Sequence, residues 1–180
     1  MHGSKYPQLS AKRIAVNMKF PSKIKIDLLN FIQTGAFDYI KPGQTKEWIL
    51  QNFPDPDYFS AEFLKPACKI WTYGNIEFHF DKTAELRSIF SDYVQQLDAG
   101  ENIELDTWIL KNHPLPCLAF VQAELNRLGT DYCKHSNSVG IQLITQAGVE
   151  LGFSTDTDDL AKDPNQLPFS YFRFSGKQSF

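Results

Sequence analysis

Ile70-Trp71-Thr72-Tyr73-Gly74-Asn75-Ile76-Glu77-Phe78-His79-Phe80 is the stretch on which the fold turns. Ile76, Phe78 and Phe80 alternate with Glu77 and His79, the period of a strand with one apolar and one polar face. Gly74-Asn75 is a two-residue turn of the kind that joins antiparallel strands, because Gly and Asn tolerate the positive φ such turns need. Downstream, Asp81 to Ala84 makes a second turn and Leu86 to Val94 a third strand. Strict alternation there sets Leu86, Ser88, Phe90 and Asp92 against Arg87, Ile89, Ser91 and Tyr93. The product is an antiparallel meander. Its apolar face would aggregate if left bare, so the segments upstream are expected to cover it.

Those segments read as two short helices. Leu28, Leu29, Phe31 and Ile32 recur at helical spacing and Gly35 follows where a left-handed terminating residue sits. After the Lys41-Pro42-Gly43 turn, the Thr45 hydroxyl can accept from the free amides of a second helix running to Phe53. Pro54-Asp55-Pro56-Asp57 stops it, since neither proline can donate. The second half repeats this order. Leu115 to Leu128, with Pro116 in the first turn, places Leu118, Val121, Leu125 and Leu128 on one stripe and stops at Gly129. Strands are predicted at Tyr132 to His135, Val139 to Thr145, Val149 to Ser154 and Phe169 to Phe174, with an acidic loop from Asp156 to Asp163. Val149-Glu150-Leu151-Gly152-Phe153 matches Ile76-Glu77-Phe78-His79-Phe80 at an offset of 73 residues. The expected fold class is α+β, with antiparallel sheets each covered by short helices in two tandem units. Residues 1–25 form a basic arm or edge strand through Ile14, Val16, Met18 and Phe20, 26–106 the first helix-helix-meander unit, and 107–180 a divergent second unit packed on the first.

Charge is unevenly distributed. Residues 1–25 hold Lys5, Lys12, Arg13, Lys19, Lys23, Lys25 and no acid, so the other 155 residues carry 12 bases against 21 acids, a net of −9. From Glu47 to Asp106 there are 12 acids against Lys65, Lys69, Lys82 and Arg87, a net of −8. Such a body repels nucleic acid, and two readings of it stand: the acids keep an aromatic-rich protein soluble, or they steer a basic protein partner toward it. No run approaches the roughly 18 apolar residues of a membrane-spanning helix, and Met1 to Phe20 lacks the apolar stretch of a secretory signal, so no membrane role is expected. Cys68, Cys117 and Cys133 make no disulfide framework and no CxxC knuckle, which points to a reducing cytoplasm.

Constellations that could carry chemistry are sparse. His113 and Cys117 stand four apart, but Pro114 and Pro116 interrupt the helix that would align them. Cys133 and His135 share one strand face, as two metal ligands would, without a second pair nearby. Glu77 and His79 share another and could act as acid and base. Asp55, Asp57 and Glu62 lack the glycine and closing glutamate of a calcium loop. The chain has no GxxxxGKS, GxGxxG, GxSxG or HExxH. No catalytic residue, cofactor or metal is therefore expected; the alternatives are a small metal-dependent enzyme using His79, His113, His135 or Cys133, and a small-ligand-binding domain.

Three pieces carry a resemblance: Leu29 to Phe37, then Ile40 to Glu47, and Ile70 to Phe80. Together they resemble a group of uncharacterised bacterial proteins with a leucine-rich short helix, a GxT/S-xE helix start, a proline-aspartate break and a WxYGxIEFHF hairpin. The match covers residues 27–93 and departs at Phe53, where the pattern has glycine. More distantly the layout resembles the outer-membrane assembly lipoprotein and β-lactamase-inhibitor-protein fold, in which two helices cover an antiparallel sheet and the unit is sometimes doubled. What the resemblance implies is a protein that binds other proteins and is not an enzyme. By analogy with other small acidic bacterial proteins, it implies a cytoplasmic immunity protein that neutralises a cognate toxin with a basic domain. Partner contact is expected at Asp92, Tyr93, Asp98, Glu101, Glu104 and Asp106, beside Trp108, and secondarily on the polar hairpin face of Trp71, Tyr73, Glu77 and His79, with burial in the core as the ordinary alternative for the tryptophans and tyrosines.

Overall fold

The computed structural model describes residues 23–58, 62, 65, 67–138, 140–154 and 163–176. The strand expected over Ile14 to Phe20, and all but the last residue of the loop Asp156 to Asp163, lie outside the described residues. In chain order the strands are β1 (Ile24–Asp27), β2 (Ile70–Tyr73), β3 (Ile76–Phe80), β4 (Leu86–Ser91), β5 (Ile103–Asp106), β6 (Tyr132–Ser136), β7 (Ile141–Thr145), β8 (Val149–Phe153) and β9 (Phe169–Phe174). The helices are α1 (Leu28–Thr34), α2 (Lys46–Asn52) and α3 (Leu118–Arg127). Seven strands form one antiparallel sheet in the order β2-β3-β4-β9-β8-β7-β6, and β1 and β5 form a small parallel pair. The fold is α+β.

Local chemistry sets the helices. Asp27 caps α1 by accepting from the Leu29 and Asn30 amides at 2.8 and 3.3 Å, and Gly35 ends it in the left-handed region. Thr45 caps α2 by accepting from the Trp48 amide at 3.2 Å, and the chain leaves the helix at Phe53 before the prolines. Helix α1 and the residues that follow each of the two helices press aromatic side chains onto one sheet face. Phe31 meets Phe172 and Phe174 with ring centroids 5.7 and 6.1 Å apart, while Phe37 and Phe53 meet Phe78 at 5.7 and 6.1 Å. Leu118, Val121 and Leu125 of α3 are fully buried in the same continuous core. Lys46 is the charged exception. Its ammonium donates to the Lys65 and Cys68 carbonyls and lies 5.4 and 5.1 Å from the Trp71 and Phe80 rings, and burial lowers its pKa.

Four expectations change. The two halves are not separate bodies packed together: β4 pairs with β9, so one sheet runs through both. Its order reads alike from either side of that seam, β2-β3-β4 against β7-β8-β9, with β6 added at one edge. The third strand ends at Ser91, and its alternation breaks. Phe80 pairs with Leu86 but His79 with Ser88, a bulge at Arg87 that turns Leu86, Ile89 and Ser91 all toward the core. The long helix begins at Leu118, because the Pro116 carbonyl accepts from Phe169 N and Leu118 N donates to Leu167 O, both at 2.9 Å, tying that segment to the start of β9. Finally, the β1–β5 pair was not expected at all.

Candidate functional site

The hairpin register decides which side chains meet solvent. Trp71 pairs with Phe78 and Tyr73 with Ile76, so both share the helix-covered face. Trp71 and Tyr73 are fully buried and present nothing to a partner, which corrects their place among the expected contacts. Tyr73 donates its hydroxyl to the Pro54 carbonyl at 2.9 Å, and burial, with Asp55 and Asp57 nearby, pushes its pKa well above 10.0.

Glu77 and His79 do lie on the open face, half-buried, with a carboxylate oxygen 2.6 Å from Nε2. They join a band that the sequence reading missed. The His79 ring contacts Phe90, and Phe90 contacts Tyr171. The Tyr171 ring covers Gly152, where any Cβ would overlap it, and its hydroxyl donates to Glu150. Gln142 Nε2 donates to that same carboxylate at 2.8 Å and to the Tyr171 oxygen at 2.9 Å, and Arg173 closes on Glu150 at 2.7 Å. Burial and the Glu150 carboxylate raise the Tyr171 pKa. One signal was available: Glu77 and Glu150 are equivalent in the 73-residue match.

The acidic segment behaves differently. Asp92, Tyr93, Asp98, Glu101, Glu104 and Asp106 are all exposed, Tyr93 at 62%, while Trp108 is half-buried. In β5, Ile103 is buried and Leu105 half-buried, so alternation sends Glu104 and Asp106 outward. The loop before β5 is pinned through its backbone to the hairpin tip. Asn75 N donates to Asp98 O and Asp98 N to Asn75 Oδ1, both at 3.0 Å, and Asn75 Nδ2 donates to Gln96 O at 2.7 Å. Asp57 accepts from Gly74 N, and Asn102 Nδ2 donates to Asp55 O at 3.3 Å. Gly74 has φ of 59°, and a Cβ there would strike the Asp98 carbonyl, so the glycine that makes the hairpin also lets the rim dock. Because backbone does the anchoring, the carboxylates remain outward. Of these rim carboxylates only that of Glu104 has a cation among the described residues, Lys25 at 3.4 Å, and that pair is exposed. Two further aromatics are exposed on the helix side. Tyr39 and Trp48, 39% and 37% exposed, meet edge-on at 6.2 Å, and Tyr39 rests on Phe53, which touches Tyr73.

The remaining candidates stay apart. The His113 ring lies 4.5 Å from Phe120 and exposed, Cys117 is half-buried at the start of α3, and no hydrogen bond joins them among the described residues. Cys133 and His135 are exposed on β6. Among the described residues no group of three or more His, Cys, Asp or Glu could hold a metal ion, and no helix is long and apolar enough to cross a membrane. Asp81 is held below the usual carboxylate range by the Thr83 hydroxyl, the Glu85 and Thr83 amides and Arg87, a turn lock and not a reactive group. No family model, no curated protein and no solved structure matches the chain.

Proposed function

We propose that the chain is a non-catalytic protein-binding module whose contact surface is the acidic rim, and that it is an immunity protein holding a basic toxin domain in a reducing compartment. The observation that carries this reading is that Asp92, Asp98, Glu101 and Asp106 are exposed, without a cation among the described residues, along the segment from the end of β4 to the end of β5, which its backbone anchors to the hairpin tip at Gln96 and Asp98. A fixed array of unneutralised carboxylates raises the encounter rate with a basic surface and rejects acidic ones. Tyr93, Tyr39 and Trp48 are the rigid aromatic groups that can anchor such a contact once docked. The family resemblance also implies protein binding without catalysis.

The test is co-expression with the product of the adjacent gene. The proposal expects a complex stable through purification and rescue of growth when that product is toxic. No complex and no rescue contradict it. Stoichiometric zinc in the purified chain would instead favour the metal-dependent enzyme built on His79, His113, His135 or Cys133.

A further inference from the structure

Among the described residues no strand pairs with the outer edge of β6 in the large sheet. Gln146 N donates to Asp131 O and Asn137 N to Gly140 O, each at 3.0 Å, and between them Cys133 faces Ile144 and His135 faces Gln142. Antiparallel pairs alternate between bonded and non-bonded, so the odd-numbered residues of β6 bond to β7. The amides and carbonyls of Tyr132, Lys134 and Ser136 therefore point away from the sheet. Cys133 through Ser136 are all exposed. The opposite edge is closed, because the outward carbonyl of Thr72 on β2 accepts from Asp57 N at 2.9 Å.

The β6 edge is complementary to itself. Set antiparallel to a second copy with Cys133 on the two-fold axis, Asp131 stands opposite His135 of that copy, and Tyr132 opposite its Lys134. The same pairs recur on the other side of the axis. A carboxylate facing an imidazole that can donate to it, and an aromatic–cation pair, directly across from each other favour that register. Moving the axis to Lys134 would oppose two ammonium groups, which disfavours it. Tyr132 and Lys134 also carry the outward-pointing backbone groups, so the register that matches the side chains closes four backbone hydrogen bonds as well. We propose that β6 pairs antiparallel with β6 of a second copy of this chain, continuing both sheets across a two-fold axis at Cys133. Five residues a side bury less than the roughly 1,600 Å² of a standard interface, so the dimer is reversible and concentration-dependent. It leaves the acidic rim free, since the hairpin tip lies at the other edge of each sheet. The dimer stands or falls independently of the toxin reading.

In this register the two Cys133 residues form a non-bonded pair with Cα atoms about 4.5 Å apart, which a disulfide can span. The experiment uses the full chain carrying Cys68→Ala and Cys117→Ala, treated with diamide. The two Cys133 thiols lose two electrons and two protons to diamide, which becomes the hydrazine, and one S–S bond forms. The expected result is a covalent dimer whose initial rate of formation falls about tenfold in Asp131→Lys, because each facing pair loses its carboxylate acceptor and gains an ammonium. Asp131→Lys with His135→Asp restores the rate, since the pairs are swapped and not lost. Sedimentation under reducing conditions should follow the same order. A rate unchanged by Asp131→Lys, or unrestored by the swap, marks random collision of an exposed thiol and overturns the proposal. So does a chain that stays monomeric and does not cross-link.

Discussion

The open sheet face and the rim at the hairpin tip both carry acids, and they dispose of them in opposite ways. On the sheet, Glu150 is met by Arg173, Tyr171 and Gln142, and Glu77 by His79. At the rim, Asp92, Asp98, Glu101 and Asp106 face solvent with no described cation in reach. Neutralised charges stiffen the face they sit on, whereas free ones project a field. The difference teaches that a polar sheet face is not by itself a binding surface. On the reading proposed above, partner contact falls on the region whose carboxylates the fold leaves without a cation among the described residues.

Trp71→Ala should have the largest effect on stability. Because Trp71 is fully buried, its loss costs about 3–5 kcal/mol, roughly a 10 °C fall in melting temperature for a chain of this size, with no separate effect on partner affinity. Calorimetry should show one transition for both halves, because they share a sheet and a core; two resolved transitions would break that claim. Glu150→Ala comes next, at about 2 kcal/mol, because it strands a half-buried tyrosine hydroxyl and an arginine. It should also bring the Tyr171 ionisation back toward 10.0 in an alkaline titration.

Tyr73→Phe is smaller, about 1 kcal/mol for the bond to Pro54, but it changes the pH profile. The folded phenol ionises well above the 10.0 of the unfolded chain. Its contribution is therefore whole below that value and is lost as pH rises above it, since the unfolded state then sheds its proton first. The variant should lose that part of the alkaline decline; an unaltered alkaline limb would contradict it. Asp92→Lys with Glu101→Lys should move stability least, by about 0.5 kcal/mol or less in denaturant melts, because neither side chain holds the fold.

The hairpin, the caps at Thr45 and Gly35 and the α+β class were legible because each depends on neighbours in sequence. Trp71 and Tyr73 were placed on the wrong face, beside Glu77 and His79, although counting back across the two-residue turn sets them opposite Phe78 and Ile76, on the apolar side. The bulge at Arg87 was not legible, because a one-residue insertion in a ladder leaves an ordinary-looking strand. Nor was the β1–β5 pair, four residues on each side, whose partners are 79 apart in sequence and whose acids mask the Ile103 and Leu105 alternation. The cluster around Glu150 needed the β8–β9 register, which brings Arg173 beside Glu150 from a distant strand. The candidate contact residues in the acidic segment were visible as a run of charge; that their backbone pins them to Asn75 was not.

The most direct test of the rim is the association rate with the adjacent-gene product, measured at low and high salt for three chains: the wild type, Asp92→Lys with Glu101→Lys, and Glu77→Gln. Salt should slow the wild type, the rim variant should bind about tenfold more slowly at low salt with a weaker salt dependence, and Glu77→Gln should match the wild type. Equal rates for the wild type and the rim variant, with Glu77→Gln impaired, would move the contact to the sheet and contradict the account.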